Sequence, residues 1–193
     1  PVFAEMSSIN PVFLLPSAFD NIQTFVDGFI TSLTMGAGQF CTNPGLLVFI
    51  ENEESQKLIN LLTNTIKTVN TQTMLTKNIY DSYCAGINRL EKNKNVNLLA
   101  KSNTSSDPNQ CTASLFETTA KNFLTDTTLS EEIFGANSLI VKCKTEDEME
   151  EISKSIEGQL TGSLHLSKDQ DEKLAKRLIS QLELKVGRII FNQ

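Results

Sequence analysis

The last third of the chain alternates in a way that leaves few folds open. Ser138–Lys142 reads as a strand, Thr145–Gln159 as a helix, Leu160–Leu166 as a strand, Ser167–Leu184 as a helix and Val186–Phe191 as a strand. Apolar residues run on through the strand pieces and recur every three or four positions in the helical ones. Strand–helix–strand units in this rhythm predict parallel pairing with right-handed crossovers, because the crossover helix has to fold back over the sheet it leaves. Thr145 with Glu148, and Ser167 with Gln170, have capping-box spacing, in which two side chains satisfy each other's free backbone amides. A three-layer α/β domain is expected, with a largely parallel sheet between helices.

The earlier residues extend the same plan. Short extended pieces are expected at Val2–Phe3 and Val12–Leu15, either side of the polar stretch at 5–10. After Pro16, the spacing of Phe19, Ile22, Val26, Phe29, Ile30 and Leu33 predicts a helix to about Leu33. Leu46–Ile50 has the length and unbroken apolarity of a strand buried on both faces. Helices are predicted over Glu53–Val69 and, capped by Thr76, to about Leu90. Residues 91–110, rich in Lys, Asn, Ser and Asp, read as an exposed loop broken by a short strand at Val96–Ala100. Ala113–Thr118 reads as a further strand. With 193 residues and no composition shift that marks a linker, one domain over 1–193 is expected.

Between the first long helix and Leu46 lies M-G-A-G-Q-F-C-T-N-P-G, residues 35–45. Its glycines permit backbone angles that other residues resist, and Pro44 prevents a helix from continuing. Cys41 near its centre fits two readings, an exposed thiol on a tight junction or a small core residue. Glu5, beside an apolar stretch, fits a solvated edge residue or a base in a partly dry site. The adjacent carboxylates of L-S-E-E-I-F-G, 129–135, fit a solvent-facing turn or part of a site. His165, between Leu164 and Leu166 in a predicted strand, reads as structural, because no catalytic partner stands at a telling spacing.

Charge and cysteine usage exclude several classes. A net charge of −6, with arginine only at 89, 177 and 188, does not suit a nucleic-acid binder. The cysteines at 41, 84, 111 and 143 are irregularly spaced and accompanied by one histidine, so neither a zinc site nor a disulfide framework is expected. No apolar run approaches the roughly 20 residues of a membrane span. No signal peptide opens the chain, so a cytoplasmic setting is expected. Neither G-x-G-x-x-G nor a P-loop occurs. Both ends read as cut from something longer.

Three stretches, in order, resemble the motif set of the aldehyde dehydrogenase superfamily: A-E-M-S-S-I-N-P at 4–11, G-Q-F-C-T-N-P-G at 38–45 and E-E-I-F-G at 131–135. In that family the motifs usually read E-L-G-G-K-S/N-P, G-Q-x-C and E-E-x-F-G-P. The Ser-Ser pair and the Phe before the cysteine look most like the branch acting on 2,5-dioxopentanoate (α-ketoglutaric semialdehyde). The resemblance implies a catalytic domain of the aldehyde dehydrogenase type, its dinucleotide-binding domain lying outside these residues, and NAD or NADP as cofactor. It makes Cys41 the nucleophile, Glu5 the general base, Glu132 the holder of the nicotinamide ribose hydroxyls and Phe134 an apolar neighbour of the cofactor. It further implies a small aldehyde as substrate and a homo-oligomer. Ala136 departs from the family's usual proline but removes no functional group. Two other readings share the residues: a non-catalytic module of the same fold, and a Cys–Glu hydrolase that needs no nicotinamide.

Overall fold

Successive residues of the strands point to opposite sides of the sheet, and here both sides are apolar. A computed structural model describes residues 7–167 and 171–193. It contains β1 (Pro11–Leu14), α1 (Ile22–Thr34), β2 (Leu46–Ile50), α2 (Ser55–Lys67), β3 (Gln72–Thr73), α3 (Lys77–Lys92), β4 (Asn97–Lys101) and β5 (Gln110–Cys111). These are followed by β6 (Ser114–Thr119), α4 (Ala120–Thr125), β7 (Asn137–Cys143), α5 (Glu146–Ser155), β8 (Gln159–His165), α6 (Glu172–Leu182) and β9 (Val186–Phe191). Seven strands form one sheet in the order β4-β6-β7-β2-β1-β8-β9, parallel throughout except for the antiparallel β4 at one edge.

The alternation sorts the core into two layers. Phe13, Val48, Phe116 and Val141 pack on one face with the apolar sides of α3, α4, α5 and α6. Val12, Leu14, Leu47, Phe49, Leu115 and Ile140 pack on the other with α1 and α2. Phe13, Leu14, Leu47, Val48 and Phe49 have no exposed surface. The central strands are thus covered on both sides, which gives the expected three layers. Among the described residues no helix is long and apolar enough to cross a membrane.

Local signals and structure agree closely at β2, β9 and α3, where the Thr76 hydroxyl accepts from the Ile79 amide at 3.2 Å. The Thr145 hydroxyl likewise accepts from the Glu148 amide at 3.2 Å, but the Glu148 carboxylate takes the Lys144 amide at 2.6 Å, not that of Thr145. The helix expected from Ser167 starts only at Glu172, and Gln170 lies outside the described residues. Its N-cap residue, Asp171, accepts instead from the amide of Ser17 at 2.8 Å and from the Ser17 hydroxyl. That carboxylate ties the start of α6 to the 3-10 turn after β1, so tertiary contact displaces the local cap. α5 ends at Ser155, short of Gln159, which begins β8. The strand expected at Val2–Phe3 lies outside the described residues. His165 packs edge-on against Phe25 at a centroid distance of 4.8 Å, and burial lowers its pKa, as suits a neutral packing residue.

Candidate active site

Residues 7–10 lead into β1, residues 39–45 into β2 and residues 131–136 into β7. Because β7, β2 and β1 are parallel neighbours, these segments converge at the amino-terminal ends of the central strands. A small cavity of about 30 Å³ marks the convergence, lined by Ser8, Gly38, Asn43, Glu132, Phe134 and Asn137 among others. The fold thus brings together what is separated by more than a hundred residues in sequence.

α1 stops at Thr34, well before Pro44, and the chain turns through left-handed backbone at Gly36, Ala37 and Gly38. Ala37, at φ 61°, carries a strain on the order of 1 kcal/mol. Its amide is held by the Gln72 side-chain oxygen at 2.6 Å, on the small ribbon β3–β5 that the sequence did not reveal. Gln39 accepts from the Leu75 amide at 2.9 Å, and the Asn43 amide side chain donates to the Leu33 carbonyl at 2.8 Å, covering an open end of α1. The loop so fastened leaves Cys41 exposed, next to Phe40, and the core-cysteine reading of this residue fails.

Gly38 joins this loop to the E-E-I-F-G turn. A Cβ at Gly38 would lie 2.2 Å from the Ala136 nitrogen, so the two backbones are in direct contact. Gly135 beyond them, at φ 147°, sits against the Tyr83 ring, and a Cβ there would approach it to 2.3 Å. The Tyr83 hydroxyl, deeply buried, donates toward the carbonyls of Thr112 at 2.7 Å and Ala136 at 3.0 Å. Burial raises its pKa, so it remains a neutral donor.

Glu132 is half-buried and Phe134 exposed, and both border an open cleft of about 550 Å³ that α3 closes with Asn78, Ser82 and Arg89. Arg89 pairs with the neighbouring Glu131 at 2.9 Å; exposed as it is, the pair orients the turn more than it stabilises the fold. A carboxylate above an open cleft, beside an exposed ring, is chemically suited to accept from two sugar hydroxyls while the ring covers an apolar face. Glu5 lies outside the described residues. Sequence reasoning missed Asn10 and Tyr83 as polar anchors. The Asn-Pro pair that opens β1 signals a turn, and a buried tyrosine hydroxyl usually finds a partner.

The four thiols differ sharply in setting. Cys84 is half-buried, and Cys111 and Cys143 are buried. Burial pushes the Cys111 thiol up; burial and then the charges of Glu148 and Glu51 push Cys143 up to about 12. At neutral pH iodoacetamide is expected to label Cys41 first, at least about tenfold faster than any other thiol. Mass mapping over time reads this, and equal labelling of all four would contradict the geometry.

The fold and the site together are a largely parallel α/β domain that presents one exposed thiol on a glycine-bracketed loop packed against a carboxylate-bearing turn. The chain belongs to the aldehyde dehydrogenase family, whose model matches residues 1–193. It is 39% identical over 196 residues to alpha-ketoglutaric semialdehyde dehydrogenase 2 of Azospirillum brasilense, and 31% identical over 194 residues to alpha-ketoglutaric semialdehyde dehydrogenase of Acinetobacter baylyi. Each match covers 100% of this chain but 37% of the relative, so the chain spans little more than a third of their length. Among solved structures, betaine aldehyde dehydrogenase from Staphylococcus aureus in complex with NAD+ superposes with a TM-score of 0.79 at 16% identity, over 98% of this chain and 38% of that one.

Proposed function

We propose that this chain forms the cysteine-bearing catalytic domain of an NAD(P)-dependent aldehyde dehydrogenase that oxidises a semialdehyde such as 2,5-dioxopentanoate to its acid. The convergence of residues 8–9, Gly38, Asn43, Gly45 and residues 131–135 on one cavity, with Cys41 exposed on the same loop as Gly38 and Asn43, carries this reading. The names of the two bacterial relatives support the substrate, and the NAD+ complex of the structural neighbour supports the cofactor.

In this reading the Cys41 thiolate attacks the aldehyde carbon and forms a thiohemiacetal. The Cys41 backbone N–H is the natural donor to the developing oxyanion. Bound NAD(P)+ supplies the acceptor for the hydride that leaves as the thiohemiacetal becomes a thioester. Glu132 would hold its ribose hydroxyls and Phe134 would line its apolar side. Glu5 takes a proton from the water that hydrolyses the thioester, releasing the acid and the thiolate. The dinucleotide-binding domain belongs to residues outside these 193, and the full-length protein works as a cytoplasmic homo-oligomer.

Assaying the full-length protein with 2,5-dioxopentanoate and simple aldehydes, each with NAD+ and NADP+, tests the proposal. Reduction of nicotinamide with preference for the semialdehyde is expected, and the 193-residue chain alone is expected to be inactive. Cys41-dependent ester hydrolysis without any nicotinamide reduction would overturn it in favour of a hydrolase.

A further inference from the structure

The residue that holds the Cys41 loop from below is Asn10. It lies immediately before β1, is 2% exposed and adopts left-handed backbone at φ 46°. Its Nδ2 donates to the carbonyl of Cys41 at 2.9 Å and to that of Asn43 at 3.0 Å, with the Ser8 carbonyl more distant at 3.3 Å. Its Oδ1 accepts from the hydroxyl of Ser8 at 2.8 Å and from the hydroxyl and amide of Thr161 at 3.0 and 3.2 Å. Only acceptors surround the nitrogen, and only donors approach the oxygen. The orientation of the amide is therefore set by its partners.

Asn10 is itself immobilised. The Gln159 side-chain oxygen accepts from the amides of Ile9 at 2.6 Å and Asn10 at 3.1 Å. The Gly45 amide donates to the Ile9 carbonyl at 2.9 Å, closing the far end of the loop on the same segment. β8 thus clamps Asn10, and Asn10 grips the two carbonyls on either side of Thr42. The grip matters because Cys41 and Thr42 are exposed.

We propose that Asn10 is the positioning residue for the Cys41 nucleophile. Its two donated hydrogen bonds set the rotation of the peptide that follows Cys41, and with it the direction in which the thiol leaves the backbone. Without them the exposed loop relaxes, and the sulfur no longer meets the carbonyl carbon along its line of attack. The proposal rests on the reading of Cys41 as nucleophile.

Two variants of the full-length protein test it. Asn10→Asp keeps size and the acceptor toward Thr161 but loses both donors; Asn10→Gly keeps the left-handed backbone and loses the whole amide. Turnover is expressed per mole of folded protein, taken from the amplitude of the cooperative thermal transition, so that a misfolded fraction does not count. Both variants are expected to lower kcat per folded molecule by on the order of 10²-fold, with nucleotide KM changed by less than about 3-fold. Wild-type kcat per folded molecule in both Asn10 variants would overturn the proposal, as would a nucleotide KM that rises as much as kcat falls. Cys41→Ala separates the two claims: if it still turns over, the nucleophile reading has failed, whereas if it is dead and the Asn10 variants are not, only the positioning role has.

Discussion

Replacing Cys41 by alanine is expected to lower semialdehyde turnover of the full-length protein by a factor on the order of 10⁴ or more. The melting temperature should hardly move, because the side chain is exposed and fills no part of the core. None of the other three thiols in these residues is exposed. Thr42 next to it offers only a hydroxyl, Cys111 and Cys143 are buried with raised pKa values, and Cys84 sits on α3. Serine at position 41 should be nearly as poor, since a hydroxyl is a weak nucleophile without an adjacent base to take its proton. Steady-state assays beside thermal melts check both statements. Substantial turnover by the alanine variant would remove Cys41 from the chemistry.

Gly38→Ala should be the most damaging small substitution in the fold. The added methyl would meet the Ala136 nitrogen at 2.2 Å and the Gly135 carbonyl carbon at 2.3 Å, in a residue already at φ 70°. Both neighbours are backbone and cannot rotate away. Left-handed strain and overpacking together should cost about 3 kcal/mol or more, read as the shift in a urea or thermal transition. Gly28→Ala is the comparison. Nothing lies within 4 Å of a Cβ there, and α1 should gain up to about 1 kcal/mol. If the two variants were equally stable, the contact between the thiol loop and the turn before β7 would not be real in solution.

Much of this fold was legible in the sequence because apolar periodicity reports burial directly. Leu46–Ile50 and Val186–Phe191 are strands with the predicted bounds, and the wide stripe of α1 is buried as expected. Errors fell where long-range partners outweigh local preference. Asp171 binds Ser17 across the fold in place of capping its own helix with a side chain, and the β3–β5 ribbon pairs residues too few and too polar to leave a pattern. The loop of Cys41 could be singled out by its glycines, but its exposure could not, since the thiol also suits a core. Its anchors were hidden for a related reason: Asn10 and Tyr83 look like an ordinary turn residue and an ordinary helix residue until the strands bring their partners to them.

The clasp on the cysteine loop joins residues about 150 positions apart, Ser8–Asn10 with Gln159–Thr161. A ribosome delivers Gln159 on the order of a hundred residues after Cys41, at several residues per second. For those seconds the thiol exists without the scaffold that aims it. The nascent chain therefore carries the thiol before the clasp that holds its loop, and the loop closes on its anchors only when β8 docks beside β1.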